Sequence, residues 1–282
     1  MINNGKKTNR FLKIILKILV LFFYLIFTVF PLYWILLTSF KTRQEIFTFP
    51  IKYWPSEFTL DNYVEIFKIS HFGVYFINSL IVALVSAGLS LIIGALGGYA
   101  LARFKFKGRN KILFAYLFTQ MIPSFIILAP LYLMLSKFHM INKLTTLMTL
   151  YTIMLIPYCT VTLKGFFQRI PASLDEAAMV DGCSRIQALF KVIAPVMLPG
   201  IAATYIFTFV QCWNELFLAV MFIDGESKKT IPVALNAFVM KYDINWGALA
   251  AGTVLSIIPT LILFAFLQKY IAGGLTDGAI KG

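Results

Sequence analysis

The chain has 282 residues, 60% of them hydrophobic and 13% charged, with a formal net charge of +13 and a mean hydropathy of +0.83. A soluble domain carries about 25% charged residues, so these proportions exclude an ordinary water-exposed surface and require lipid over much of it. A nucleic-acid partner is excluded by placement, because the bases fall between long apolar runs and form no stripe.

Lys6, Lys7, Arg10, Lys13 and Lys17 lead into an apolar stretch at 14–37. It is too long for a signal-peptide core and has no small-x-small cleavage site before the next charges, so it is expected to be an uncleaved first span. Further runs at 75–100, 112–135, 144–163, 196–222 and 246–270 each reach the roughly 20 apolar residues that cross a bilayer as a helix. Pro31, Pro123, Pro130, Pro157 and Pro259 lie within these runs, where neighbouring helices can satisfy the freed carbonyls. The segment 40–70 is the longest external one, with four bases, four acids, Pro50 and Pro55. Its composition leaves open an ordered, partner-facing lobe or a simple connection.

Orientation follows the bases. With the N-terminus cytoplasmic, inside segments hold 16 of the 25 Lys and Arg, including Arg103, Lys105, Lys107, Arg109 and Lys111, and outside loops hold nine. Both termini are therefore expected inside, in a multi-pass membrane protein.

Small residues recur at every fourth position: Ser86, Ser90, Gly94, Gly98 and Ala102; Gly200, Thr204, Thr208 and Cys212; Ala248, Gly252, Ser256 and Thr260. Such stripes let membrane helices approach closely, either within one subunit, across a subunit interface or along a path. Glu215, in Trp213-Asn214-Glu215, is the one ionisable residue within a span. Buried charge is costly and so marks function by default; the readings are a path or interface residue, with Gln211 and Asn214 adding uncharged polarity. Cys159, Cys183 and Cys212 form no C-x-x-C pair, and His71 and His139 stand apart, so neither a disulfide nor a metal site is expected. Phosphate-binding and hydrolase signatures are missing as well. The chain is therefore read as a transporter rather than an enzyme, without a cofactor of its own.

Between the fourth and fifth spans, 169–195 reads R-I-P-A-S-L-D-E-A-A-M-V-D-G-C-S-R-I-Q-A-L-F-K-V-I-A-P. Ser173 with Glu176 and Ser184 with Gln187 have capping-box spacing, and Asp175 and Glu176 suit a helix N-terminus. Gly182 is placed to end the first helix and Pro195 to stop the second. Ile186, Leu189, Phe190 and Ile193 predict one apolar face on that second helix, while Ala177 and Ala178 let a partner come close. Two such helices can pack on their own spans or dock into a soluble partner.

Glu176-Ala177-Ala178, then Gly182 and Pro195, resembles the EAA loop of permeases in binding-protein-dependent ABC importers; Asp181 matches the sugar-importer version. Val192-Ile193-Ala194-Pro195 departs from the family's Ile-x-Leu-Pro ending. Trp213-Asn214-Glu215, Thr230-Ile231-Pro232-Val233 and the tail from Gly274 to Gly282 are similar to maltose-type (MalG-like) sugar permeases. The resemblance implies an all-α, six-span type I ABC importer permease fold. It implies a second distinct permease, two ATPase subunits (a homodimer or heterodimer) holding ATP and Mg, and an extracytoplasmic sugar-binding protein.

On that reading Ser173, Glu176, Ala177, Ala178, Asp181, Gly182, Ile186, Leu189, Phe190 and Pro195 form the ATPase-coupling loop. Leu275, Thr276, Gly278 and Lys281 in the tail reach the ATPases, with glycines permitting an irregular insert. The chain divides into the N-terminus and first span (1–40), an external loop (41–71), the permease core (72–270) and the tail (271–282). A secondary transporter or channel acting without ATP is the alternative; it calls for several buried charges where Glu215 is alone.

Overall fold

The computed structural model describes residues 3–69, 71–239 and 244–279, with the side chains of 12–68, 71–123, 125–239 and 244–270. Among these residues every regular element is helical: α1 (Asn3–Ser39), α2 (Arg43–Ile46), α3 (Asp61–Ile69), α4 (Phe72–Arg103), α5 (Arg109–Met121), α6 (Ser124–Lys137), α7 (Leu144–Arg169), α8 (Ser173–Val180), α9 (Arg185–Ala188), α10 (Ala194–Val196), α11 (Leu198–Trp213), α12 (Phe217–Phe222), α13 (Ile231–Val239) and α14 (Trp246–Ala279). A π-turn (Leu189–Ile193) and a 3₁₀ turn (Glu226–Lys228) complete the set.

Four of the expected spans are continuous: the segment Leu12–Ser39 of α1, α4, α7 and the segment Trp246–Tyr270 of α14. The other two are broken, which corrects the expectation of uninterrupted helices. In the third, α5 and α6 meet at an angle of 99°, around Pro123, which has no N–H to continue the ladder. In the fifth, a hinge at Met197 turns the axis by 85° into α11, and the helix lapses again at 214–216 before α12. Each bent pair counted as one span gives six, as the all-α reading requires. Backbone interrupted at membrane depth survives only where other protein groups satisfy it.

Two compact units divide the chain. The first takes 1–70 and 238–255. Its segment 40–60 is held by hydrogen bonds within the unit. Asn62 Nδ2 donates to the carbonyls of Ser39 (2.9 Å) and Lys41 (2.8 Å). The backbone N–H of Ser56 donates to Glu45 Oε1 (2.7 Å), and Lys41 Nζ reaches the carbonyl of Lys52 while lying over the Trp34 ring. The lipid-length part of α1 is exposed on all sides, Phe23 and Phe27 included, as expected of a helix solvated by hydrocarbon.

The second unit takes 71–237 and 256–282. Its centre is α4 packed along α7, with α11 against both. The first small-residue stripe makes this possible: a Cβ on Gly98 would sit 2.9 Å from the Lys164 backbone nitrogen and 3.0 Å from the Thr160 carbonyl oxygen. Ser86 and Ser90 are fully buried and donate to the Met148 and Ser86 carbonyls. In the second stripe Gly200, Thr204, Thr208 and Cys212 are all buried, and both threonine hydroxyls are spent on the carbonyl four residues back. Packing within the subunit accounts for both stripes.

Candidate coupling site

The segment 169–195 folds as a helical hairpin. Its first arm starts earlier than the sequence suggests, because Ala172 already has helical backbone (φ −64°, ψ −22°). The Ala172 carbonyl accepts from the N–H groups of Asp175 (3.0 Å) and Glu176 (3.2 Å). Ser173 thus lies inside the first turn and caps nothing, so the expected Ser173–Glu176 capping box does not form; a capping serine needs extended backbone just outside the helix. The arm ends as expected. Gly182 adopts φ +88°, and the N–H groups of Gly182 and Cys183 close on the carbonyls of Met179 (3.1 Å) and Ala178 (2.9 Å), the paired bonds of a Schellman turn.

The second arm opens with the predicted box: Ser184 Oγ accepts from the Gln187 N–H (3.3 Å) and Gln187 Oε1 from the Ser184 N–H (2.9 Å). It does not stop at Pro195. The π-turn carries the ladder as far as the Ala194 N–H, which donates to Leu189 O, so the missing Pro195 N–H costs little. The helix passes through Pro195 and ends at the Met197 hinge.

The expected apolar face is divided. Leu189 and Ile193 turn inward and join Tyr99, Leu163, Phe167 and Met197 in one cluster. Ile186 stays 67% exposed and Phe190 52%. Ala178 is likewise buried while Ala177 is not, so the two alanines do not share a surface. What remains exposed on the hairpin includes Leu174, Glu176, Ala177, Val180 (87% exposed), Asp181, Ile186 and Phe190.

Asp175 is the functional candidate that sequence reasoning left as a helix-dipole residue. It is only 5% exposed. Its Oδ1 accepts from the Tyr99 hydroxyl (2.7 Å) and its Oδ2 pairs with Arg103 Nε (2.8 Å). The signal was the adjacent acid pair: consecutive residues on a helix cannot face the same way, so Asp175 goes in where Glu176 goes out.

The remaining predicted residues lie elsewhere. Glu215 is a brace at the break in the fifth span. Its carboxylate accepts from the Tyr151 hydroxyl (2.7 Å), the Leu218 N–H (2.9 and 3.1 Å) and the Ala219 N–H (3.2 Å), thereby capping α12. Trp213 is buried with its Nε1 donating to the Ser256 carbonyl (3.0 Å), whereas Gln211 and Asn214 are exposed. On the opposite loops, Glu226 accepts from Lys229 and from the Tyr75 hydroxyl (2.8 Å); these bonds hold its carboxyl below the ordinary range, the lysine contributing most. Asn78 Nδ2 donates to the carbonyls of Ser227 and Lys229 (both 3.0 Å), and Ser79 Oγ accepts from the Ile231 N–H (2.8 Å), pinning the Thr230–Val233 strip onto the start of α4.

In the tail, the backbone is helical through Ala279, not irregular. The side chains of Leu275, Thr276 and Gly278, and all of Lys281, lie outside the described residues. Between α6, α7 and α12 lies a cavity of about 340 Å³ lined by Ile127, Leu131, Met134, Leu150, Ile153 and Met154 among others. Its two threonines, Thr146 and Thr149, spend their hydroxyls on backbone carbonyls, so it suits hydrocarbon and not carbohydrate. Among the described residues no cluster of three metal-ligating side chains occurs.

Continuous and broken helices long and apolar enough to cross a membrane, with an internally clamped hairpin between two of them, describe a membrane protein. The family model for the inner membrane component of binding-protein-dependent transport systems matches residues 90–276, and the chain belongs to that family. It is a permease subunit of an ATP-binding-cassette importer and not an enzyme. It is 38% identical to the diacetylchitobiose uptake permease DasC of Streptomyces coelicolor, over 90% of this chain and 92% of that one. With the trehalose/maltose permease MalG of Thermococcus litoralis it shares 34% identity over 96% and 98% of the two chains. A solved bacterial ABC transporter that imports the acidic polysaccharide alginate has the same fold, with a TM-score of 0.80 at 22% identity over 93% of this chain and 97% of that one.

Proposed function

We propose that this permease imports an oligosaccharide or related carbohydrate, handed over by an extracytoplasmic binding protein, in partnership with a second, distinct permease and two ATPase subunits that bind ATP and Mg. Both termini and the hairpin 169–195 face the cytoplasm. The observation that carries the reading is the hairpin's exposed surface, which includes Glu176 and Ala177 along with Leu174, Val180, Ile186 and Phe190. An exposed apolar surface of that kind, carrying the acids Glu176 and Asp181, suits a soluble partner's cleft edged by a base. The carbohydrate relatives, which include a sulfoquinovosyl glycerol permease of Agrobacterium fabrum (38% identical over 90% of this chain and 89% of that one), support the substrate class.

Closure of the ATPases around ATP would push the hairpin as one body and tilt the spans between inward-open and outward-open states, biasing a bistable element. The end of α14, helical through Ala279, would lead the tail toward the same ATPases. The broken fifth span, held at Glu215, is the place where this chain would line the path.

The test is proteoliposome uptake with the binding protein, both permeases and the ATPases, each omitted in turn. Uptake is expected to need every component and ATP, and to survive a protonophore. Flux through this chain alone, driven by a proton gradient without ATP, would overturn the reading in favour of a secondary transporter.

A further inference from the structure

We propose that Asp175, Arg103 and Tyr99 form a latch that transmits the thrust on the hairpin directly into α4, making all three positioning residues for coupling. This rests on reading 169–195 as the coupling loop.

The hairpin's covalent links to the spans are poor levers. On one side α7 stops at Arg169 and Ile170 is extended (φ −88°, ψ 129°). On the other, the chain turns by 85° at Met197. A push on the hairpin could be absorbed at either joint, since load passes stiffly through a continuous helix and poorly through a hinge. The latch bypasses both joints. It ties the first turn of α8 to the last turn of α4, which runs unbroken for 32 residues across the bundle.

The latch is built to hold. Asp175 is buried, so its charge requires Arg103, and the Arg103 side chain is itself only 10% exposed. The Tyr99 ring packs edge-on against Phe167 (5.4 Å) and Phe104 (6.2 Å), which fixes where its hydroxyl points. The Arg185 guanidinium of the second arm lies 5.1 Å from the centre of the Phe104 ring, so both arms bear on the same end of α4. Glu176, one residue along, faces outward. One turn of α8 thus carries a partner-facing acid and a latch acid with separate tasks.

The experiment uses the whole reconstituted complex and measures three things: ATPase co-purification, ATP hydrolysis, and sugar moved per ATP hydrolysed. Asp175→Asn is expected to retain the ATPases and hydrolyse ATP while moving about tenfold less sugar per ATP. Tyr99→Phe keeps the ring packing and removes only the hydroxyl, so it should fold normally and show the same defect in milder form, about threefold. Arg103→Lys, which keeps the charge, should recover more coupling than Arg103→Gln. An unchanged sugar-to-ATP ratio in Asp175→Asn and Tyr99→Phe would overturn the latch. So would loss of ATPase binding in Tyr99→Phe, because the residue would then belong to the docking surface. Glu176→Lys is the control for the reading beneath: it should release the ATPases. A wild-type chain that never binds them sinks the coupling reading itself, with the sugar-to-ATP ratio undefined.

Discussion

The Asp175 carboxylate and the Tyr99 hydroxyl meet at 2.7 Å across 76 positions of sequence, joining the helix that carries the family motif to the helix with the main small-residue stripe. A buried acid hydrogen-bonded at one oxygen and ion-paired at the other fixes the rotation of α8 about its own axis. That rotation decides which motif residues are offered outward: Glu176 and Ala177 are, and Ala178 is not. The latch therefore does for the motif's geometry what the Schellman turn at Gly182 does for its length.

Gly182 has open space around its missing side chain but φ +88°, so only backbone conformation restricts it. Gly182→Val should destabilise the hairpin by about 1–2 kcal/mol and uncouple transport, since a β-branched residue resists the left-handed region. Gly182→Asn should be tolerated far better, because asparagine visits that region readily. Sugar uptake and membrane level of the two variants, measured side by side, check this; equal behaviour would mean that the turn is not what matters there.

Steric closeness makes a second contrast. Gly98→Ala places a methyl group against the α7 backbone and should cost about 1–3 kcal/mol by overpacking. Gly88, on the same helix, has nothing within 4 Å of a built Cβ, so Gly88→Ala should be neutral or slightly stabilising. Thermal midpoints in one detergent decide the order.

Much of the architecture was legible because lipid imposes a simple code: six apolar runs, basic residues between them, small residues where helices touch. The breaks were not. Pro123 and Pro130 lie in the same run, yet the chain bends at the first while α6 passes through the second; which proline breaks a helix depends on neighbours that composition does not reveal. Within the hairpin, Gly182 and Ser184 were legible because their roles are local. Asp175 was not, since its partners are brought to it by the packing of α4 on α7. The single apolar face read on the second arm divides, Leu189 and Ile193 turning inward and Ile186 and Phe190 staying exposed.

The segment 40–60 offers a pH test. Hydrogen bonding from the Ser56 N–H, aided by nearby Lys52 and Lys41, holds the Glu45 carboxyl below the usual range, against its burial. Burial pulls Lys41 down, and Glu45 opposes that fall. A depressed acid stabilises the fold fully above its unfolded pKa, about 4.3, and that contribution is lost as pH falls through the lower folded value. The protection of the Ser56 amide, its exchange rate relative to the intrinsic rate at the same pH, should accordingly be high at neutral pH and fall on acidification below that range. Glu45→Gln should flatten the dependence; a profile identical to wild type would remove Glu45 from the account.

Glu215 makes a prediction about roles. Glu215→Ala strips acceptors from two backbone N–H groups and a tyrosine hydroxyl, and should cost about 1–3 kcal/mol. Tyr151→Phe should cost less. Because the two groups share one bond, the double variant should be hardly less stable than Glu215→Ala alone. Additive losses in a thermal assay would show that Tyr151 and Glu215 act separately.

Orientation is the last expectation, and it is the one that gives the hairpin its partner. The bases divide 16 to nine in favour of the segments on the N-terminal side of the membrane, and such a bias places that side in the cytoplasm. Three exposed positions report on it: Lys52 and Ser227 on one set of loops, and Lys107 between α4 and α5 on the other. The natural thiols must first be removed, because Cys183 is partly exposed in the hairpin itself. In intact cells a membrane-impermeant maleimide should label cysteines introduced at 52 and 227 and leave one at 107 untouched until the membrane is opened. Labelling at 107 without permeabilisation would turn the molecule over, put the Glu176 patch outside, and deny it any contact with a cytoplasmic ATPase.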